Sequence, residues 1–226
     1  RQQSRHAGRA AVTSRYPQGH GNEDSHCEMT ALFVSDLHLD ASRPAATDCF
    51  LRFLAGPAHD AGTLYILGDL FEFWIGDDAG AAAAPVIAAL AAASRDGQRV
   101  LVMHGNRDLL LGCEFARATG SVLLADPIVV DIAGTRTLLS HGDAWCTLDV
   151  AYQTFRAMVR RPEFQREFLA KPVTERIAVA RSARMQSETE KAVKAMDIMD
   201  VTPAAVVSAL AAAGVDRVIH GHTHRP

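Results

Sequence analysis

Leu32-Phe33-Val34-Ser35-Asp36-Leu37-His38 is a short apolar, largely β-favouring run that ends on an acid and an imidazole two positions apart. A strand built this way delivers two possible metal ligands where the backbone leaves the sheet. Asp-x-His is common by itself, but the construction recurs four times downstream. Residues 64–67 stop at Gly68-Asp69, and residues 100–103 stop at His104-Gly105-Asn106-Arg107-Asp108. Residues 137–140 stop at His141-Gly142-Asp143, and residues 215–219 run into His220-Gly221-His222-Thr223-His224. Between these runs, Phe50, Phe53 and Leu54 fall at helical spacing and predict a helix over 46–58. Further helices are predicted over 85–94 and 114–118, and a strand over 128–132 turns at Gly134. The alternation predicts an α/β fold. Ligands of such sheets gather outside the carboxyl ends of the strands, so the five ends are expected to converge. Gly-Asp and Gly-Asn as plain turn formers would explain any one of these ends, but hardly all five.

The chain has 226 residues, 48% of them hydrophobic, and a formal net charge of -3. That suits one domain with a sizeable core and argues against a nucleic-acid partner, which calls for a basic footprint. Cys27, Cys49, Cys113 and Cys146 are scattered, which excludes a disulfide framework or a zinc knuckle and favours a reducing compartment. No apolar run reaches the ~18 residues of a spanning helix. Residues 1–28 are rich in Arg, Ser, Gly, Gln and His without an apolar core, and are expected to form a disordered N-terminal extension ahead of a natural start at Met29. A transit peptide is the rival reading; Glu23, Asp24 and Glu28 count against it.

Asp36, His38, Asp69, Asn106, His141, His222 and His224 offer seven oxygen and nitrogen donors and no thiolate. That exceeds one tetrahedral site but suits two ions sharing a carboxylate, and the donor types suit manganese, iron or zinc better than calcium. Two ions ~3.5–4 Å apart can polarise a shared hydroxide and hold a phosphoryl group for in-line attack. No Gly-x-Ser-x-Gly elbow, Walker A loop or Gly-x-Gly-x-x-Gly loop offers competing chemistry.

Asp-x-His, Gly-Asp, Gly-Asn-x-Asp, His-Gly-Asp and Gly-His-x-His, in that order, resemble the calcineurin-like metallophosphoesterases. The resemblance implies an αββα sandwich of two mixed sheets. It also implies that Asp36, His38, Asp69 and His224 hold one ion, and that Asp69, Asn106, His141 and His222 hold the other, with Asp69 bridging. Residues 65–72, Trp74-Ile75-Gly76-Asp77-Asp78, Gly105-Asn106-Arg107-Asp108 and Ile198-Met199-Asp200-Val201 narrow it further. They are similar to the UDP-2,3-diacylglucosamine pyrophosphatases of lipid A biosynthesis. Those enzymes release UMP and 2,3-diacylglucosamine 1-phosphate, use two Mn2+ ions, and direct water to the uridine-side phosphorus. The resemblance implies a monomer at the cytoplasmic face of the inner membrane. Arg107 stands where much of the superfamily has His, as it does in the lipid A branch; a guanidinium can grip phosphate oxygens but donates no proton. By the same resemblance Arg107, Asp69 and Asn106 are catalytic. The family continues past the last ligand block, so a chain stopping at Pro226 is expected to be C-terminally truncated.

Residues 155–194 read as helical and carry ten basic against five acidic residues. The pattern alone suits a helical hairpin packed on the sheet equally well as a basic amphipathic segment at an anionic membrane surface. The resemblance implies a lid over about 150–197 within a domain spanning 29–226. Asp149, Ser187, Lys191 and Lys194 would then touch the substrate beside Asn106, Arg107 and His222. At Lys191 other members carry asparagine, so that contact is either altered or lost. Phe71, Phe73 and Trp74 are expected to pack rather than bind; Glu72, Asp77 and Asp78 are candidates for supporting the ligands, though a polar loop explains them equally well. Two rival functions remain at this point: a two-metal phosphoesterase for a soluble nucleotide or phosphoprotein, and a metal-dependent scaffold without catalysis.

Overall fold

Each strand of the first sheet is an apolar run that helices can bury on one side and a second sheet on the other. A computed structural model describes residues 30–193 and 198–224, and the side chains of these apart from 188 and 190–193. The element order is β1 (Ala31–Val34), α1 (Pro44–Ala55), β2 (Thr63–Leu67), α2 (Ala84–Arg95), β3 (Arg99–Met103), α3 (Cys113–Thr119), β4 (Val122–Leu124), β5 (Ile128–Ile132) and β6 (Thr135–Ser140). Then come α4 (Val150–Val159), α5 (Pro162–Leu169), α6 (Val173–Val193), α7 (Pro203–Ala213) and β7 (Val218–His220).

The first sheet has the order β1-β2-β3-β4 and the second β5-β6-β7. Alternate residues of β2 and β3 explain the layering. Leu64, Ile66, Val100 and Val102 pack with Phe50, Leu54, Leu90 and Phe115 of the helices. Tyr65, Leu67, Leu101 and Met103 turn the other way, onto Leu139, Ile128, Val130 and Ile219 of the second sheet. The outer face of that sheet is covered by α7 through Leu138, Val206, Ala209 and Leu210. Helix, sheet, sheet and helix therefore stack as the expected sandwich. Among the described residues the first sheet is parallel throughout, because both its faces are covered; the second is mixed, with β5 antiparallel and β7 parallel to β6.

Some expectations shift. The segment read as helical over 155–194 begins earlier, at residue 150, and is divided into three helices, with Pro162 opening α5 and Pro172 standing just ahead of α6, where a proline is tolerated but a helix interior would not accept it. Strand β7 occupies Val218–His220 instead of 215–219, and Val215 is buried against Leu138 and Trp145 after α7. Neither α7 nor the three-residue β4 was expected. The extension expected over residues 1–28 lies outside the described residues.

Candidate metal centre and adjoining cavity

Of the described non-glycine residues, six have positive φ, and five of them are expected ligands: Asp36, His38, Asp69, His222 and His224, at 48–71°. Such backbone costs ~1–3 kcal/mol at each residue and persists where surrounding structure enforces it. The enforcement here is hydrogen bonding between the strand-end loops. Asp36 N–H donates to the Gly68 carbonyl (3.1 Å), His38 N–H to Asp69 (3.0 Å) and Leu39 N–H to Leu70 (2.9 Å). His222 N–H donates to Asp36 Oδ2 at 2.7 Å, tying the last block to the first across the sheets. Gly105 has to be glycine, because a Cβ there would overlap the Asp69 carboxylate.

All seven expected donors face one another. Ligand atoms of Asp36, Asp69, His141 and His222 lie within 4.8 Å of one another, and so do those of Asp36, His38 and His224. Asp69 sits between the two groups, its Oδ2 3.8 Å from both His38 Nε2 and His141 Nε2. His38 Nε2 lies 3.3 Å from His224 Nε2, and Asn106 Oδ1 lies 3.2 Å from His141 Nε2. His141 Nδ1 donates to the Leu67 carbonyl at 2.9 Å, which leaves Nε2 as the lone-pair nitrogen facing the cluster.

The electrostatics fit a cation. Burial pushes the Asp69 carboxyl up to about 7, helped by the neighbouring charges of Asp108 and Asp36 and opposed by His141 and by the Arg107 N–H. Asp36 Oδ1 is buried without a hydrogen bond, which is costly unless something else meets it. Imidazole nitrogens turned toward one another and toward carboxylates make a donor set for divalent ions of the zinc-to-manganese range.

A cavity of about 760 Å3 opens from this cluster. His38, Asp69, Asn106, Arg107, His222 and His224 form one end, while Phe155, Val159, Phe164 and Phe168 of α4 and α5, with Val179 of α6, line the remainder. Asp149 and Ser187 both border it. Asp149 also caps α4, accepting the Tyr152 N–H at 3.0 Å. The Lys191 side chain and the whole of Lys194 lie outside the described residues. Phe71 and Trp74 stack in the core at 4.8 Å, as expected, whereas Phe73 is only half-buried and joins the cavity wall.

The sequence pattern of the calcineurin-like phosphoesterase family matches residues 29–226. The chain belongs to the calcineurin-like phosphoesterases. Among relatives of this phosphoesterase, UDP-2,3-diacylglucosamine hydrolase of Stenotrophomonas maltophilia is 51% identical over 206 residues, covering 88% of this chain and 83% of that protein. The protein of the same name from Xanthomonas campestris pv. campestris is 50% identical with the same coverage. A solved structure, a protein of unknown function from Aquifex aeolicus, aligns over 87% of this chain and 81% of that one with 17% identity and a TM-score of 0.43.

Three carboxylates that support the phosphoesterase site were given no definite role by the sequence. Asp108 is fully buried and accepts N–H groups from Asp69 (3.3 Å), Leu70 (2.8 Å), Phe71 (3.4 Å) and Gly105 (2.8 Å). It welds the β2 and β3 loops together; burial pushes its carboxyl up against the pull of those donors. Asp143 accepts from Tyr152 Oη (2.7 Å), Arg156 Nε (2.8 Å) and Arg160 Nη2 (3.4 Å), so α4 is pinned beneath the His141 loop. Burial opposes its charge, but His141, Arg160 and Arg156 outweigh this and hold it well below the usual carboxylate range. Glu72, buried, faces His38 Nδ1 at 3.6 Å and Arg107 Nη1 at 3.9 Å. The fixed offset of Asp108 from Asn106 was the available signal; nothing in the sequence distinguishes Asp143 or Glu72 from loop acids.

Proposed function

We propose that this phosphoesterase hydrolyses the pyrophosphate bond of UDP-2,3-diacylglucosamine, releasing UMP and 2,3-diacylglucosamine 1-phosphate for lipid A biosynthesis. The observation that carries the reading is the 51% identity to a relative named for this substrate, together with a cavity apolar on its helical side and polar at the donor cluster. Asp36, His38, Asp69 and His224 would hold one divalent ion, and Asp69, Asn106, His141 and His222 the other, with Mn2+ the expected metal. Bound ions of this kind lower the pKa of water and neutralise phosphate charge.

The chain's own residues supply the rest. Arg107, beside the cluster, grips non-bridging oxygens of the pyrophosphate. Asn106 and His222 orient the uridine-side phosphorus toward the attacking water. Asp149 and Ser187, with Lys191 and Lys194, contact the sugar phosphate. Helices α4 to α6, within a lid over about 150–197, receive the acyl chains between Phe155, Phe164 and Val179 and exclude water from the reacting groups.

We further propose a monomer bound peripherally at the cytoplasmic face of the inner membrane. No helix among the described residues is long and apolar enough to cross a membrane. The lid nevertheless exposes Val150, Phe155, Met158, Leu169 and Met185. Arg161 and Arg166, both exposed, lie among them in sequence, an arrangement that suits anionic lipid.

The test is UMP release from UDP-2,3-diacylglucosamine by metal-depleted protein resupplied with Mn2+. The expected result is turnover that requires both the metal and the acyl chains. Equal turnover of UDP-glucosamine would overturn the substrate assignment while leaving the two-ion site in place.

A further inference from the structure

Glu72 sits where three functional parts of the molecule meet. Its position is set by backbone: Glu72 N–H donates to the Leu39 carbonyl at 3.0 Å, and Leu39 in turn pairs with Phe71 in a parallel bridge. The loop after Asp69 is thereby held alongside the loop carrying His38. The carboxylate is buried, with its side chain 9% exposed, and a buried charge is costly unless it is paired. On one side Oε2 lies 3.6 Å from His38 Nδ1. On the other, Oε1 lies 3.9 Å from Arg107 Nη1 and forms an ion pair with Arg184 of α6.

His38 has two ring nitrogens with different tasks. Nε2 faces His224 Nε2 at 3.3 Å and Asp69 Oδ2 at 3.8 Å, inside the donor cluster. Nδ1 faces Glu72. An imidazole can offer a lone pair from Nε2 only if its proton resides on Nδ1, and a carboxylate beside Nδ1 favours that tautomer. The Arg107 and Arg184 guanidiniums lie beside the other oxygen of the same carboxylate. The arrangement asks more of Glu72 than the neutralisation of a lid arginine.

We propose that Glu72 is a positioning residue that orients His38, with Nε2 toward the metal cluster, and sets Arg107 beside it. This rests on the two-ion reading above and is independent of the identity of the substrate.

The experiment is a titration of metal-free full-length chain with Co2+, followed by visible absorption and calorimetry, with no substrate present. Wild type is expected to take up two ions. Glu72→Ala should weaken one of them by about 10- to 100-fold, with an altered Co2+ spectrum and the other ion unaffected. Glu72→Gln should fall between, because its amide oxygen keeps an uncharged acceptor on the Nδ1 side of the ring. Arg184→Ala, which removes the lid ion pair alone, should leave both affinities as in wild type. If both Glu72 variants bind two ions as wild type does and only melt at a lower temperature, Glu72 is a structural ion-pair partner and the proposal fails. It also fails if Arg184→Ala weakens the same ion as strongly as Glu72→Ala, since the effect would then run through lid packing. A wild-type chain that took up no Co2+ would overturn the two-ion reading itself, and this inference with it.

Discussion

Asp69 and Arg107 are joined through the main chain: the Arg107 N–H donates to Asp69 Oδ1 at 2.8 Å. This hydrogen bond survives truncation of the side chain, so Arg107→Ala separates the guanidinium's work from its backbone's. The expected outcome is a fall in turnover of about 10²- to 10³-fold, the usual cost of losing one donor to developing charge. Divalent-metal affinity should stay within a few-fold of wild type. Steady-state kinetics beside a metal titration checks both halves; equal loss of both would mean that Arg107 shapes the site instead.

Asp108 presents the opposite case, a side chain whose entire task is to receive backbone donors. Four N–H groups, from Asp69, Leu70, Phe71 and Gly105, end on its two oxygens. Removing the acceptor leaves buried donors unsatisfied at ~1–3 kcal/mol each, although relaxation recovers part of this. Asp108→Ala should therefore lower unfolding free energy by roughly 3 kcal/mol and weaken metal binding as well, because Asp69 and Asn106 lie on the two loops it joins. Chemical denaturation with and without divalent metal would measure both effects.

The metal-free chain should be more stable in mild acid than in mild base. Burial pushes Asp69 up to about 7, so between the unfolded carboxyl value of ~3.9 and about 7 the folded state holds a proton that the unfolded state has lost. Raising the pH through that window costs stability. For His141, burial disfavours its charge, but Asp69, Asp143 and Asp36 outweigh this and raise it. Its contribution is fully present below ~6.5 and is lost as pH rises through the higher folded value, so both groups act with the same sign. Thermal melts of EDTA-treated protein should fall from pH 5.5 to pH 8. Asp69→Asn should flatten the trend, and saturating divalent metal should abolish it.

The ligands were legible because each ends a strand, and a strand end is marked twice, by an apolar run and by the residues that stop it. Asp36, Asp69, Asn106 and His141 were all placed at the strand ends where the structure has them; the strand pattern reached only an α/β fold, and the two-sheet sandwich came from the family resemblance. The pairings that were not read depend on partners distant in sequence. Glu72 meets Arg184 and Asp143 meets Arg156 and Arg160 only after α4 to α6 fold back over the site. Strand β4 is three residues long, too short for any period to show, and the alanine-rich α7 has no polar face to mark it as amphipathic. The breaks between α4, α5 and α6 were marked in the sequence by Pro162 and Pro172, a signal the reading of 155–194 as helical did not use to divide the segment.

Phe155 tests the lid most directly, because it lines the cavity and yet remains 44% exposed. Little core packing depends on it, so Phe155→Ala should shift the melting temperature by no more than a degree or two, in keeping with substitutions outside the core. If acyl chains lie against it, the truncation removes apolar contact worth ~1–2 kcal/mol, which corresponds to a roughly 5- to 30-fold loss in kcat/KM for the diacylated substrate. Metal affinity should not move, since Phe155 is not one of the donor residues. A substrate with shortened chains should lose its sensitivity to the substitution. An equal penalty on long- and short-chain substrates would place the acyl groups elsewhere, and the argument for α4 as part of their groove would fall.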